Sequence, residues 1–254
     1  MSNYWYYGPG TDGNTTTLLL TGAEVADAAS YVGTVSQSGE WSNSGYTTRA
    51  SWPWNSIRSE IKTVLTLESN PISMADSSKM SSMFNGCSSL ASVDVSGFNT
   101  SKVTSMGSMF YGCSSLASID VSGFDTSLVT SMGSMFYGCS SLASIDVSGF
   151  DTSKVTSTNG MFTNCSALRI IDISNSMENI LPKLPSASYY SIETGEPAPR
   201  ESLTKGTWVR DEADIPLVST MVQNRQAVRS LRHMVNKLSK RIVALETIAS
   251  SLVQ

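Results

Sequence analysis

The chain has 254 residues, 40% of them hydrophobic, which is enough to bury a sizeable core in one large domain or two ordinary ones and excludes a disordered protein. A formal net charge of −4 gives no case for a generally basic surface made for nucleic acid or an acidic membrane. No run of residues approaches the roughly twenty apolar positions that span a bilayer, so no membrane insertion is expected.

The first 22 residues, "MSNYWYYGPGTDGNTTTLLLTG", lack a cationic start and carry an apolar run of only Leu18 to Leu20, so no secretory signal is expected there. If the sequence is the whole gene product, that reading makes the chain a cytosolic product that leaves, if at all, by another route. Gly8, Gly10 and Gly13 spell G-x-G-x-x-G, but a dinucleotide site needs a strand before the motif and a helix at its last glycine. With Pro9 inside it and "NTTTLLL" after it, the motif reads as a turn. Thr21 and Glu24 have capping-box spacing and predict a short alanine-rich helix through about Val32. Residues 1–50 therefore form an N-terminal docking or cap segment. "SWPWNSIRSEIKTVLTLE", residues 51–68, reads as a cap running into a first irregular strand. All five tryptophans lie outside the near-identical repeats that follow, which favours capping over docking.

Those repeats are announced by Cys87, Cys113, Cys139 and Cys165, spaced at 26-residue intervals with the residues between them matching too. In each copy, Leu90-x-x-Val93-x-Val95 and its equivalents Leu116/Ile119/Val121, Leu142/Ile145/Val147 and Leu168/Ile171/Ile173 have the L-x-x-L-x-L form of a leucine-rich repeat. Phe98, Phe124 and Phe150 are expected to stack as an aromatic spine. Val103, Met106, Met109 and Phe110 recur at helix-like spacing and should close the convex side. The predicted fold class is an α/β solenoid over residues 51–183: a leucine-rich repeat with short parallel strands, capped at its N-terminus because each coil buries its apolar face only against neighbours. The cysteine of each coil is read as a small buried hydrophobe with a free thiol, since parallel side-chain vectors suit a disulfide poorly. Nothing resembles C-x-x-C, and the single histidine, His233, is far away; no metal and no cofactor are expected.

The unit G-C-S-S-L-x-S-I-D-V-S-x-F-D-T-S-x-V-T-x-M-x-x-M-F, with the preceding P-W-N-x-I-R-S-x-I element, closely resembles the BspA-like leucine-rich repeats of bacterial surface proteins over about residues 52–173. The resemblance implies a non-catalytic, curved recognition scaffold used for attachment to surfaces or proteins.

Residues 184–213 carry Pro185, Pro197 and Pro199 among polar residues and read as a linker. From 214 to 254 the period becomes heptad, with Met221, Val228, Val235, Ile242 and Ala249 at a and Leu217, Asn224, Leu231, Leu238, Leu245 and Leu252 at d. An α-helical coiled coil is predicted, with an oligomerisation seam of Leu231, Val235, Leu238, Ile242, Leu245 and Leu252. Arg241 and Glu246, within "RIVALE", fit an interchain pair associated with trimers, so a homotrimer is expected, with a dimer or a single helix folded back on the repeats as alternatives. His233 falls at an outward position of this seam, and the basic residues around it read as a solvated surface rather than a nucleic-acid stripe.

Alternation along each strand turns Ser92, Asp94 and Ser96 outward, and likewise Ser118, Asp120 and Ser122, then Ser144, Asp146 and Ser148, and then Asp172. A self-repelling aspartate column flanked by serines should attract cations, basic groups or hydroxyl-rich ligands, and these residues are the candidate binding site. The bland alternative is that aspartate only keeps an exposed sheet soluble. A carboxylate-dependent hydrolase is a weaker alternative, because acid/base chemistry needs two carboxylates in different environments and a ladder supplies the same one repeatedly. The expected function is non-enzymatic recognition and attachment by a virion protein (fibre, tail tip or decoration), binding itself and a host-surface protein or glycan or another virion protein. A bacterial surface adhesin is the alternative.

Overall fold

The computed structural model describes residues 3–11, 16–21, 24–32, 35–41, 52–67, 72–73, 80–173, 188–199, 203, 206–210 and 215. At the N-terminus, β1 (Asn3–Gly8) pairs antiparallel with β2 (Thr17–Thr21) and with β3 (Gln37–Trp41). The chain turns after β1 at residues 9–11, the described part of the glycine-rich motif: Gly10 adopts φ 80 and donates to the Val32 carbonyl at 2.9 Å. Every residue of β2 is buried because both of its faces are covered. Leu18 and Leu20 point into the main core, while Leu19 points to the other side, onto Ala28 and Val32. Val32 ends α1 (Ala29–Val32), far shorter than a helix opening at Thr21 would be.

The chain then adds strands in parallel: β2 to β4 (Thr63–Thr66), and β4 to β6 (Ser92–Val93). β5 (Ile72–Ser73) pairs parallel with β7 (Phe98–Asn99). Further along, β8 (Ser144–Asp146) lies parallel to β9 (Ile170–Ile173), and β9 is closed antiparallel by β12 (Gly206–Val209). Beyond β12 come β10 (Ser188–Ser191) and β11 (Pro197–Pro199), an edge that proline keeps from pairing further.

Between the two five-stranded sheets the 26-residue copies stack through their turns. The N–H groups of Met80, Ser82, Phe84 and Gly86 donate to the carbonyls of Ser105, Gly107, Met109 and Tyr111 at 2.7–2.9 Å. Met106, Ser108, Phe110 and Gly112 repeat this onto Ser131, Gly133, Met135 and Tyr137, and Met132, Ser134, Phe136 and Gly138 onto Ser157, Asn159, Met161 and Thr163. Behind the ladder the rings of Phe84, Phe110, Phe136 and Phe162 stack at 5.5–5.6 Å.

The first copy has no predecessor to satisfy its own row of carbonyls, and side chains take that role. Trp52 Nε1 donates to Ser81 O and Trp54 Nε1 to Met83 O, both at 2.9 Å, and the Arg58 guanidinium donates to Asn85 O. The same indoles extend the ring column, with Trp54 stacked on Phe84 and Trp52 on Trp54. At the far end Arg210 donates to Ser166 O and Leu168 O at 3.1 and 2.8 Å.

This arrangement corrects the expected α/β leucine-rich-repeat solenoid. Among the described residues there are two mixed five-stranded sheets and one two-stranded sheet, with only one four-residue α-helix and one three-residue 3-10 turn. Regular strands do not run through every copy: residues 113–138 contribute none, and that copy is joined to its neighbours by turn bonds and by isolated bridges at Ser105, Ser131 and Ser157. The expected helix over Val103, Met106, Met109 and Phe110 is a run of turns, because Ser108 (φ 55) and Gly112 (φ 69) take left-handed backbone that a right-handed helix excludes. The four side chains are buried all the same. The stacked aromatic column described above stands at Phe84 and its equivalents; Phe98, Phe124 and Phe150, assigned that part from the sequence, are buried as well. The coiled coil of residues 214–254, with Leu231, Val235, Leu238, Arg241, Ile242, Leu245, Glu246 and Leu252, lies outside the described residues apart from Ile215, and so does Gly13, whereas the stretch 184–213, read as a linker, contributes the strands β10, β11 and β12.

Ser82, Ser108 and Ser134 (φ 61, 55 and 55) hold a left-handed position that the fourth copy gives to Gly160 (φ 67). A left-handed L-residue costs roughly 1–2 kcal/mol, and glycine returns about 0.5–1 kcal/mol of that as lost backbone freedom. Ser134→Gly should therefore stabilise the chain by about 0.5–1 kcal/mol, read as a higher melting temperature by calorimetry. A lower one would show that the Ser134 hydroxyl matters more than the strain.

Candidate functional site: two columns of Asx turns and a neutral turn face

The predicted site residues are brought together on the strand side of the stack. Ser92, Ser96, Ser118, Ser122 and Ser148 are exposed with Asp120, while Ser144, Asp94, Asp146 and Asp172 are half-buried. β8 and β9 set Asp146 directly beside Asp172. The carboxylates do not simply face water, however. Asp94, Asp120 and Asp146 each turn one oxygen back to accept the N–H of the serine two residues on, at 2.9, 3.0 and 3.0 Å. Ser148 adds its hydroxyl to Asp146 at 2.7 Å. The other oxygen of Asp94 accepts from Thr66 Oγ1 at 3.2 Å, and Asp172 accepts from Thr207 Oγ1. Asp94, Asp120 and Asp146 thus each close an Asx turn of their own, the use that short polar side chains find wherever a chain reverses.

A second column, whose repeated carboxylates Asp125 and Asp151 are visible in the sequence but were assigned no binding role, carries the same D-x-S signal at fixed period. Asn99 and Asp125 accept from the N–H and hydroxyl of Ser101 and Ser127, and Asp151 from the N–H of Ser153 at 2.9 Å. Inside this column, buried Thr100 and Thr126 tie neighbouring copies. Thr100 Oγ1 donates to Asp125 O at 3.1 Å and accepts from Asp125 N at 2.7 Å, and Thr126 does the same with Asp151 at 3.1 and 2.8 Å. The serine hydroxyls and N–H groups hold Asp125 and Asp151 below the usual carboxylate range, with Lys154 drawing Asp151 further down. Both carboxyls are shifted the same way, so neither is a proton donor at neutral pH, and the split environments of an acid/base pair are not built here.

The cysteines are free and buried, as expected. Cys113, Cys139 and Cys165 donate to the carbonyls of Phe84, Phe110 and Phe136 in the preceding copy at 3.0–3.2 Å. Burial raises all three thiols, Cys165 to about 12, so thiolate chemistry is suppressed. Among the described residues no group of three His, Cys, Asp or Glu side chains could hold a metal. His233 lies outside them.

The opposite, turn side carries Tyr111 and Tyr137, stacked at 4.7 Å with rings 2° from parallel. Asn164 Nδ2 donates to the Tyr137 hydroxyl at 3.1 Å.

Residues 78–179, less than half of the chain, match a family described as "Mycoplasma protein of unknown function, DUF285", and the chain is similar to that family over this span. No curated protein and no solved structure matches the chain.

The depressed Asp125 and Asp151 link stability to pH. A carboxyl with a lowered folded-state value stabilises the fold above its ordinary value of 3.8, and the contribution is lost as pH falls through the folded value. Ser127→Ala combined with Ser153→Ala should lower the melting temperature at pH 7, with the gap from the parent chain closing below about pH 4. A gap that stays constant down to pH 2 would mean that the hydroxyls act through packing and not through the carboxylates.

Proposed function

We propose that the protein is a non-enzymatic attachment and recognition protein. The observation that carries this reading is the register of the stack. Equivalent backbone bonds recur from copy to copy within about 0.2 Å, so both exposed sides offer the same chemistry repeatedly on one rigid frame. Its carboxylates are occupied in Asx turns and its thiols are buried and protonated, which supports binding over turnover. The resemblance of the repeat unit to BspA-like surface proteins points the same way, to a partner on a bacterial surface, protein or glycan.

The setting we favour is a virion. Four buried, unbridged thiols suit a protein folded in a reducing cytosol, where disulfides are rare. A bacterial surface adhesin is the second reading, favoured by the match of residues 78–179 to a family described as a Mycoplasma protein.

The purified chain, fluorescently labelled, should bind intact cells of the bacterium that carries the gene, or whose phage does, saturably and in competition with unlabelled chain. Adherence that never saturates would overturn the attachment reading. Breakdown of the cells' surface polymers, lost on Asp120→Asn with Asp146→Asn, would replace it with the hydrolase.

A further inference from the structure

The turn side of the stack differs chemically from the strand side. The four segments 80–87, 106–113, 132–139 and 158–165 contain no Asp, Glu, Lys, Arg or His, whereas the strand side carries an aspartate in every copy. What the turn side exposes is serine, glycine, asparagine and tyrosine. Such a set makes adaptable hydrogen bonds around a few large side chains that lose little rotamer freedom, and it is the composition by which antibody loops hold protein surfaces. Charge depletion around aromatic anchors is likewise the mark of an interface centre.

The tyrosines also break the repeat. The position is Asn85 in the first copy, Tyr111 and Tyr137 in the middle two and Thr163 in the last, so an aromatic centre is framed by polar residues at both ends. The pair is preorganised: the rings support each other at 4.7 Å, Asn164 holds the Tyr137 hydroxyl, and the backbone beneath is pinned by the copy-to-copy ladder. Tyr111 is 37% exposed, and its hydroxyl has no partner among the described residues. Ser108 and Ser134, three residues before each tyrosine, keep side chains in left-handed backbone where the fourth copy has Gly160, so hydroxyls are retained beside the tyrosines at a conformational cost.

We propose that this turn face, centred on Tyr111 and Tyr137, is the docking surface for a folded protein on the target cell, one that offers neutral hydrogen-bond acceptors to the hydroxyls of Tyr111 and Ser108. A protein is favoured over a glycan by the stack itself. Sugars pack on open ring faces, and here each ring has one face closed against the other, which halves the ring surface left for stacking. The inference rests on the attachment reading above and deepens it by naming the surface and the class of partner.

The test compares binding of the labelled full chain to intact cells for three variants, each first checked for an unchanged near-ultraviolet circular dichroism spectrum. Tyr111→Ser combined with Tyr137→Ser should weaken binding by about tenfold or more, as loss of interface anchors does. Tyr111→Phe combined with Tyr137→Phe, which keeps the stack and removes only the hydroxyls, should weaken it by about threefold or more, and decides the matter if the serine pair fails to fold. Protease treatment of the cells should abolish binding of the parent chain, and periodate oxidation of their sugars should not. If the folded tyrosine variants bind like the parent chain, or Asp94→Asn with Asp120→Asn and Asp146→Asn loses binding in their place, the inference fails and attachment stands. Binding that survives protease but not periodate makes the partner a glycan and overturns the proposal as stated. No saturable binding by the parent chain overturns the attachment reading itself.

Discussion

The fold depends on a row of hydrogen bonds that runs from copy to copy along the turn side, in which alternate N–H groups of one copy meet carbonyls of the next. Each bond contributes only about 0.5–1.5 kcal/mol net, but a buried carbonyl left without its donor costs about 1–3 kcal/mol. The row is therefore strict about its ends. No copy precedes Met80, and the carbonyls of Ser81, Met83 and Asn85 would be orphaned if Trp52, Trp54 and Arg58 did not point their donors at them. The two indoles do this while continuing the ring column, so the same side chains close both the polar and the apolar end of the stack.

Function follows from what this row leaves over. Backbone groups that are spent between copies cannot pair with other molecules, and the Asx turns absorb much of the hydrogen-bonding capacity of the aspartates. Small side chains on the turn side let the copies approach closely, and only where tyrosine replaces them does a large group stand out. The Asp side gives Asx-turn geometry to the copies of Asp94, Asp120 and Asp146; the tyrosine pair gives two copies a side chain that the others lack.

Much of the local design was legible in the chain. The 26-residue period, the buried leucines and isoleucines, the free cysteines and the turn at Pro9 and Gly10 all follow from spacing and residue type, and the structure has them. The α/β solenoid was not a sound conclusion from the same pattern. Met106, Met109 and Phe110 have helical spacing, but the i, i+3 and i+4 positions are also buried by successive turns, and Ser108 at φ 55 is a conformation that no propensity for serine announces. Leucine-rich spacing likewise does not guarantee a ladder: Ile119 and Val121 are buried without forming a strand. Side chains that substitute for backbone donors, such as Trp54, are invisible until the neighbouring carbonyls are placed. For the candidate site, outward placement of Asp94, Asp120 and Asp146 follows from alternation, whereas the turning of their oxygens toward Ser96, Ser122 and Ser148 is a property of the D-x-S spacing.

If the ladder and its side-chain ends make the stack one cooperative unit, damage at the first copy must be felt in the third. Amide hydrogen exchange in Trp54→Phe is the direct measurement, because phenylalanine keeps a ring in the column and removes the N–H that Met83 O requires. The account predicts that exchange at Phe84, Phe110 and Phe136 accelerates by a similar factor, about fivefold for about 1 kcal/mol. Acceleration confined to Phe84, with Phe110 and Phe136 protected as in the parent chain, would contradict it.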